Sequence, residues 1–235
     1  MLNNNFLATI ITFVLAISWL RIMDFFAHRG WIDGKLSRKI IHIGTGPLFV
    51  LCWLLFDDQS YGRYLAALVP LATTIQFALV GFGVIHDDAA VKAMSRTGVR
   101  QEILRGPLYY GIAFVILTLV FWKDNMIGII ALMVLCGGDG LADIMGKRFH
   151  NWKLPWSPQK TWVGSISMFF GGVLLSLFVI WVFSLASVFL IDWGLFLPRL
   201  ILLGLLAAAV ESIPWKDLDN ITVPAISVIA GLFLF

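Results

Sequence analysis

Cysteine is scarce in this chain: Cys52 and Cys136 are the whole complement, and both sit inside apolar runs. That argues against a disulfide framework or a cysteine-ligated zinc site. Charge is scarce as well, at 13% of 235 residues, against about a quarter in an ordinary soluble domain. No G-x-x-x-x-G-K-[ST] occurs, which removes the P-loop nucleotide-binding architecture. The 17 Lys and Arg against 14 Asp and Glu fall in short loops and make no continuous basic stripe, so no nucleic-acid partner is expected. No basic residue precedes Arg21 and no small-residue cleavage site follows the first apolar run, which is therefore expected to be a retained span rather than a signal peptide.

What fills the chain instead is apolar surface, 60% of the residues. Eight runs approach or reach the about 17–25 residues needed to cross a bilayer: 6–26, 40–56, 64–85, 107–122, 126–146, 166–191, 194–210 and 221–235. The expected fold is an all-α integral membrane protein of about eight transmembrane helices, one polytopic domain over residues 1–235 embedded in a lipid bilayer. The sixth run, at ~1.5 Å per residue, exceeds a ~30 Å hydrocarbon core and should tilt or project.

Lys and Arg alternate between loops. Arg29, Lys35, Arg38 and Lys39 mark the first loop, Lys92, Arg96, Arg100 and Arg105 the third, Lys147, Arg148, Lys153 and Lys160 the fifth, and Lys216 the seventh. The opposite loops hold Arg63 and Lys123. The positive-inside rule then puts the odd loops in the cytoplasm and both termini on the other side. In the third loop, Arg96, Arg100, Glu102 and Arg105 fit a short amphipathic helix on the membrane surface.

The densest polar stretch is 137–165, GGDGLADIMGKRFHNWKLPWSPQKTWVGS, between two apolar runs. Carboxylates are costly at such a boundary and point to function. Asp139 and Asp143 stand i,i+4 on one helix face, where their oxygens could hold a Mg²⁺ that takes its other ligands from phosphate and water. Gly138 and Gly140 would admit an anion to backbone N–H groups, and Lys147 and Lys160 supply positive charge, so these are parts of a nucleotide-phosphate site. Residues 37–46, SRKIIHIGTG, stack Arg38 and Lys39 against His42 at i,i+4 and i,i+3. Glu211 ends the seventh run, and Asp217, Asp219 and Asn220 form a third polar cluster on the same side.

Four blocks together resemble the polyprenol kinase family of CTP-dependent phytol, dolichol and diacylglycerol kinases: SRKIIHIGTG, RQEILRGPLYY (100–110), CGGDGLADIMGKRF with KTWVGSISMF (136–149 and 160–169), and 211–224. The second block and SISMF favour the phytol branch. His150 departs from the glycine usual there, and Leu218 from a frequent aspartate. The resemblance implies a membrane kinase moving the γ-phosphoryl group of CTP to a long-chain isoprenoid alcohol, phytol, for tocopherol and related synthesis. It further implies Asp139 and Asp143 on Mg²⁺; Arg38, Lys39, Gly138, Gly140, Lys147, Lys160, Thr161, Ser165 and Asn220 about nucleotide and phosphates; and His42 or Asp219 at the alcohol proton. The site would face the cytoplasm, in a photosynthetic or plasma membrane. Other readings stay open: a dolichol or diacylglycerol kinase, a cytidylyltransferase attacking the α-phosphorus, or a transporter, which would place its acids at mid-membrane between broken helices. The sequence carries no indication of oligomeric state.

Overall fold

The structure, a computed structural model, describes residues 4–57, 59, 61–95, 97–215 and 218–235, with Lys35 in its backbone only. Arg96, Lys216 and Asp217, which entered the sequence reading, lie outside these residues, as do Asp58 and the side chain of Lys35. Ten α-helices run in order among the described residues: α1 Asn5–His28, α2 Gly34–Cys52, α3 Gly62–Phe82, α4 Asp88–Met94, α5 Gly106–Val120, α6 Ile127–Met133, α7 Gly140–Arg148, α8 Trp162–Leu185, α9 Trp193–Glu211 and α10 Asp219–Leu234. Seven stretches are long and apolar enough to span a membrane, with α10 a shorter apolar helix of 16 residues. The all-helical membrane fold expected from the apolar runs is therefore present, and the eighth run forms a helix of ~24 Å, shorter than a ~30 Å core.

One rod organises the rest. Helix α6 passes through a π-helical segment, Val134–Asp139, directly into α7, and every residue from Ile127 to Gly138 is buried. A helix apolar all round belongs inside a bundle, and α2, α5, α8 and α10 pack around this one. Glycines set the closest approach. A Cβ on Gly137 would stand 2.6 Å from the carbonyl oxygen of Gly171, so α8 lies backbone to backbone on the π segment.

The remaining differences from expectation have local causes. The sixth helix starts earlier than the apolar run, because the Thr161 hydroxyl accepts from Gly164 N–H at 3.0 Å and caps α8. It ends at Leu185, just before Ser187 takes a positive φ of 60°. Between α7 and α8 the chain makes a small antiparallel hairpin, β1 Lys153–Leu154 with β2 Ser157–Thr161. The third loop is not one surface helix: α4 is followed by a 3₁₀ turn at Arg100–Leu104 whose Ile103 is fully buried.

Candidate active site

The polar residues of six elements meet at one end of the bundle, around a cavity of about 540 Å³. Helix α2 contributes a basic turn. Arg38 donates from Nη1 to the Ser95 carbonyl at 2.6 Å, tying the third loop over the site. Lys39 Nζ lies 3.2 Å from Asp143 Oδ2 and 4.0 Å from Asp139 Oδ2, so one ammonium serves both carboxylates of α7's first turn. Lys147 meets Asp143 from the other side at 2.7 Å, the i,i+4 pair expected from spacing.

His42 stands one turn deeper. Its Nε2 is 3.4 Å from Asp139 Oδ2 and 3.4 Å from the carbonyl of Leu135. Leu135 lies in the π segment, so the helix backbone itself offers the imidazole an acceptor here. Tyr110 of α5 holds His42 in turn: its hydroxyl donates to the His42 carbonyl at 2.8 Å and its ring lies 4.4 Å from the imidazole.

A second charged group faces the first. Lys160, on β2, reaches Glu211 at the end of α9 and Asp219 at the start of α10, the latter at 3.0 Å. Burial works to lower the Lys160 pKa, but the two carboxylates outweigh it and hold the group above the ordinary lysine value. Trp156 in the hairpin turn donates from Nε1 to Ser212 Oγ at 3.2 Å, fixing β2 to the end of α9. Asp139, Glu211 and Asp219 present oxygens that all lie within 4.8 Å of one another. Glu211 is 4% exposed, and its Oε2 has no hydrogen-bond partner among the described residues.

Among the described residues, those expected from the sequence to form the site each have a place. Arg38, Lys39, His42, Asp139, Asp143, Lys147, Lys160, Thr161, Ser165, Asp219 and Asn220 line the cavity. Asn220 also donates to the Gly106 carbonyl at 3.1 Å. Thr161 is the α8 cap, and the Ser165 hydroxyl is buried without a partner among the described residues. Gly138 packs on Met168 and Gly140 on Ile43 and His42, so both sit at helix contacts rather than in an open loop. The sequence reading passed over Tyr110 and gave Glu211 no role. An acid ending an apolar span was a usable signal for Glu211; nothing in sequence distinguishes Tyr110 from a packing aromatic.

No family model matches the chain, and no solved structure does. Curated proteins do. A protein of Oryza sativa subsp. japonica described as "Probable phytol kinase 1, chloroplastic" is 43% identical over 230 residues, covering 97% of this chain and 73% of its own. "Phytol kinase 1, chloroplastic" of Arabidopsis thaliana is 38% identical over 209 residues, covering 88% and 69%. "Farnesol kinase, chloroplastic" of the same plant is 39% identical over 227 residues, covering 96% and 74%.

Proposed function

Because the chain belongs to the phytol kinase family, in which farnesol kinase also falls, we propose that it transfers the γ-phosphoryl group of CTP to the hydroxyl of phytol. The coarser statement is that this is a multi-pass membrane phosphotransferase acting on a prenol hydroxyl with a nucleotide donor. The observation that carries the finer one is the cavity itself, whose wall is charged at one end and apolar at the other, as a phosphorylated headgroup and a hydrocarbon tail require together.

Phosphoryl transfer needs positioning and charge neutralisation more than covalent chemistry from the protein. Lys39, Lys147, Lys160 and Arg38 bring positive charge to the donor phosphates. The prenol oxygen forms a bond to the γ-phosphorus, the bond to the CDP oxygen breaks, and the hydroxyl proton passes to His42 or to the carboxylate of Asp219. Mg²⁺ fits the donor set: hard carboxylate oxygens of Asp139, Glu211 and Asp219 converge, and Glu211 Oε2 is buried without a partner among the described residues. Asp143 stands beside Asp139 as the further carboxylate the motif implies, sharing Lys39 with it. When bound, the cation would neutralise charge on the donor phosphates. On this reading the site end faces the cytoplasm, in a photosynthetic or plasma membrane, with both termini on the other side.

The test uses purified protein, phytol or farnesol, and CTP labelled separately at the α and γ positions. The kinase reading requires γ label in the extracted lipid and none from α, with phytol preferred over farnesol. Label from α in the lipid establishes nucleotidyl transfer instead, and equal labelling from other nucleotides removes CTP as the specific donor.

A further inference from the structure

The cavity extends well past the charged cluster. On α2 its lining runs Arg38, His42, Thr45, Phe49, Cys52, steps of four and three that keep to one helix face and pass from charged to apolar. Cys52 lies ~15 Å along the axis from His42 at 1.5 Å per residue. Helix α1 lies against α2 with the opposite sense: Trp19 donates to the Ile41 carbonyl at 3.5 Å, level with His42, while Thr12 and Cys52 both line the far end. Val69 of α3 and Phe114 of α5 complete the wall, the Phe114 ring 5.8 Å from that of Phe49.

The far end is shut. Thr12, Phe49, Cys52 and Val69 are each at most 5% exposed. Behind them Trp53, fully buried, lies 4.9 Å from the ring of Trp122, which Phe56 meets edge-on at 5.6 Å. These three buried aromatic side chains, two of them within four positions of Cys52 in the chain, pack on one another as an aromatic plug past the end of α2.

We propose that this blind arm binds the prenyl tail and that Thr12, Phe49 and Cys52 set the longest tail accepted. A single short prenyl chain can lie between His42 and the plug; the tail of a long polyprenol must meet Cys52 and Trp53 before its hydroxyl reaches Asp139 and His42. The inference rests on the prenol kinase reading and adds to it the residues that measure chain length.

The test is a ladder of acceptors, geraniol, farnesol, phytol and a long polyprenol, offered with CTP to the purified full chain and read as kcat/KM. The wild type should act on alcohols up to phytol and fall at least roughly tenfold on the polyprenol, the scale on which apolar pockets discriminate. Cys52→Phe puts a ring into the closed end and should move the preference from phytol toward farnesol by roughly tenfold, with retained farnesol turnover showing that the variant is folded. Thr12→Leu, a smaller intrusion from the facing wall, should shift the ratio in the same direction. An unchanged phytol-to-farnesol ratio in the folded variants, or polyprenol turnover equal to that of phytol, overturns the proposal. A wild type that phosphorylates no prenol defeats the function reading instead, and that result appears before any variant is made.

Discussion

Tyr110 grips His42 twice, through a 2.8 Å hydrogen bond to its carbonyl and through a ring contact at 4.4 Å, so α5 controls both the backbone and the imidazole plane of the site's deepest α2 residue. Tyr110→Phe keeps the ring and removes the hydroxyl, and a single neutral hydrogen bond contributes about 1 kcal/mol. The expected result is a fall in kcat of several-fold with the KM for nucleotide little changed. Tyr110→Ala, which also frees the imidazole, should cost much more. Steady-state kinetics of the two variants side by side separate ring from hydroxyl.

Asp139 belongs to two carboxylate groups, one with Asp143 and one with Glu211 and Asp219. Mn²⁺ titrated against the protein without nucleotide and followed by electron paramagnetic resonance distinguishes them independently of turnover. Glu211→Gln and Asp139→Asn should each weaken Mn²⁺ by at least about tenfold. Asp143→Asn should instead loosen Lys39 and Lys147 and show mainly as weaker CTP binding. A loss of Mn²⁺ with Asp143→Asn and none with Glu211→Gln places the ion on the i,i+4 pair.

Lys160 neutralises two carboxylates, one of them almost fully buried. Lys160→Met strands Glu211, and breaking a buried pair from one side costs about 3–5 kcal/mol. The variant should unfold at a clearly lower temperature in detergent, and adding Glu211→Gln should recover part of the loss. Additive losses in this double-mutant cycle would mean that the two side chains do not interact.

The same contact has a defined pH signature. Because the Lys160 pKa is raised above 10.5, its contribution to stability is fully present below that value and is lost only as the pH rises through the higher folded-state value. With Glu211 replaced by Gln in both proteins, so that no stranded carboxylate can take up a proton, thermal stability with and without Lys160→Met should therefore differ by a constant amount from pH 6 to about 9. Convergence of the two curves within that window would show that another group titrates in the contact.

Topology is open to labelling. Single cysteines at Lys92 and Gln159 should react with an impermeant reagent from the cytoplasmic side, and one at Gln59 from the other. Opposite accessibility of Lys92 and Gln159 would divide a site that needs the third loop and the hairpin in one compartment.

The helical membrane fold was legible because each span must satisfy its backbone internally and so appears as an uninterrupted apolar run. Asp139, Asp143, Lys39 and His42 were legible because charge at a membrane boundary is costly and local spacing places it on one face. What stayed hidden was long-range. The Lys160 pairing with Glu211 and Asp219 joins residues more than fifty positions apart, through a hairpin too short to leave a strand pattern. The π segment was hidden for another reason: VLCGGD is as compatible with a plain helix end as with a register shift, and only packing against Gly171 and His42 selects the latter.

That segment also sets an angular phase. A residue of an α-helix advances the side chains by ~100° about the axis, and one of the wider π turn by roughly a sixth less, so the six residues Val134–Asp139 turn the chain about as far as five α-helical ones. Deleting one of residues 134–138 would let the segment close into plain α-helix with Asp139 and Asp143 still facing Lys39 and His42, whereas the same deletion in the α-helical stretch 127–133 would swing both carboxylates toward the wrong neighbours.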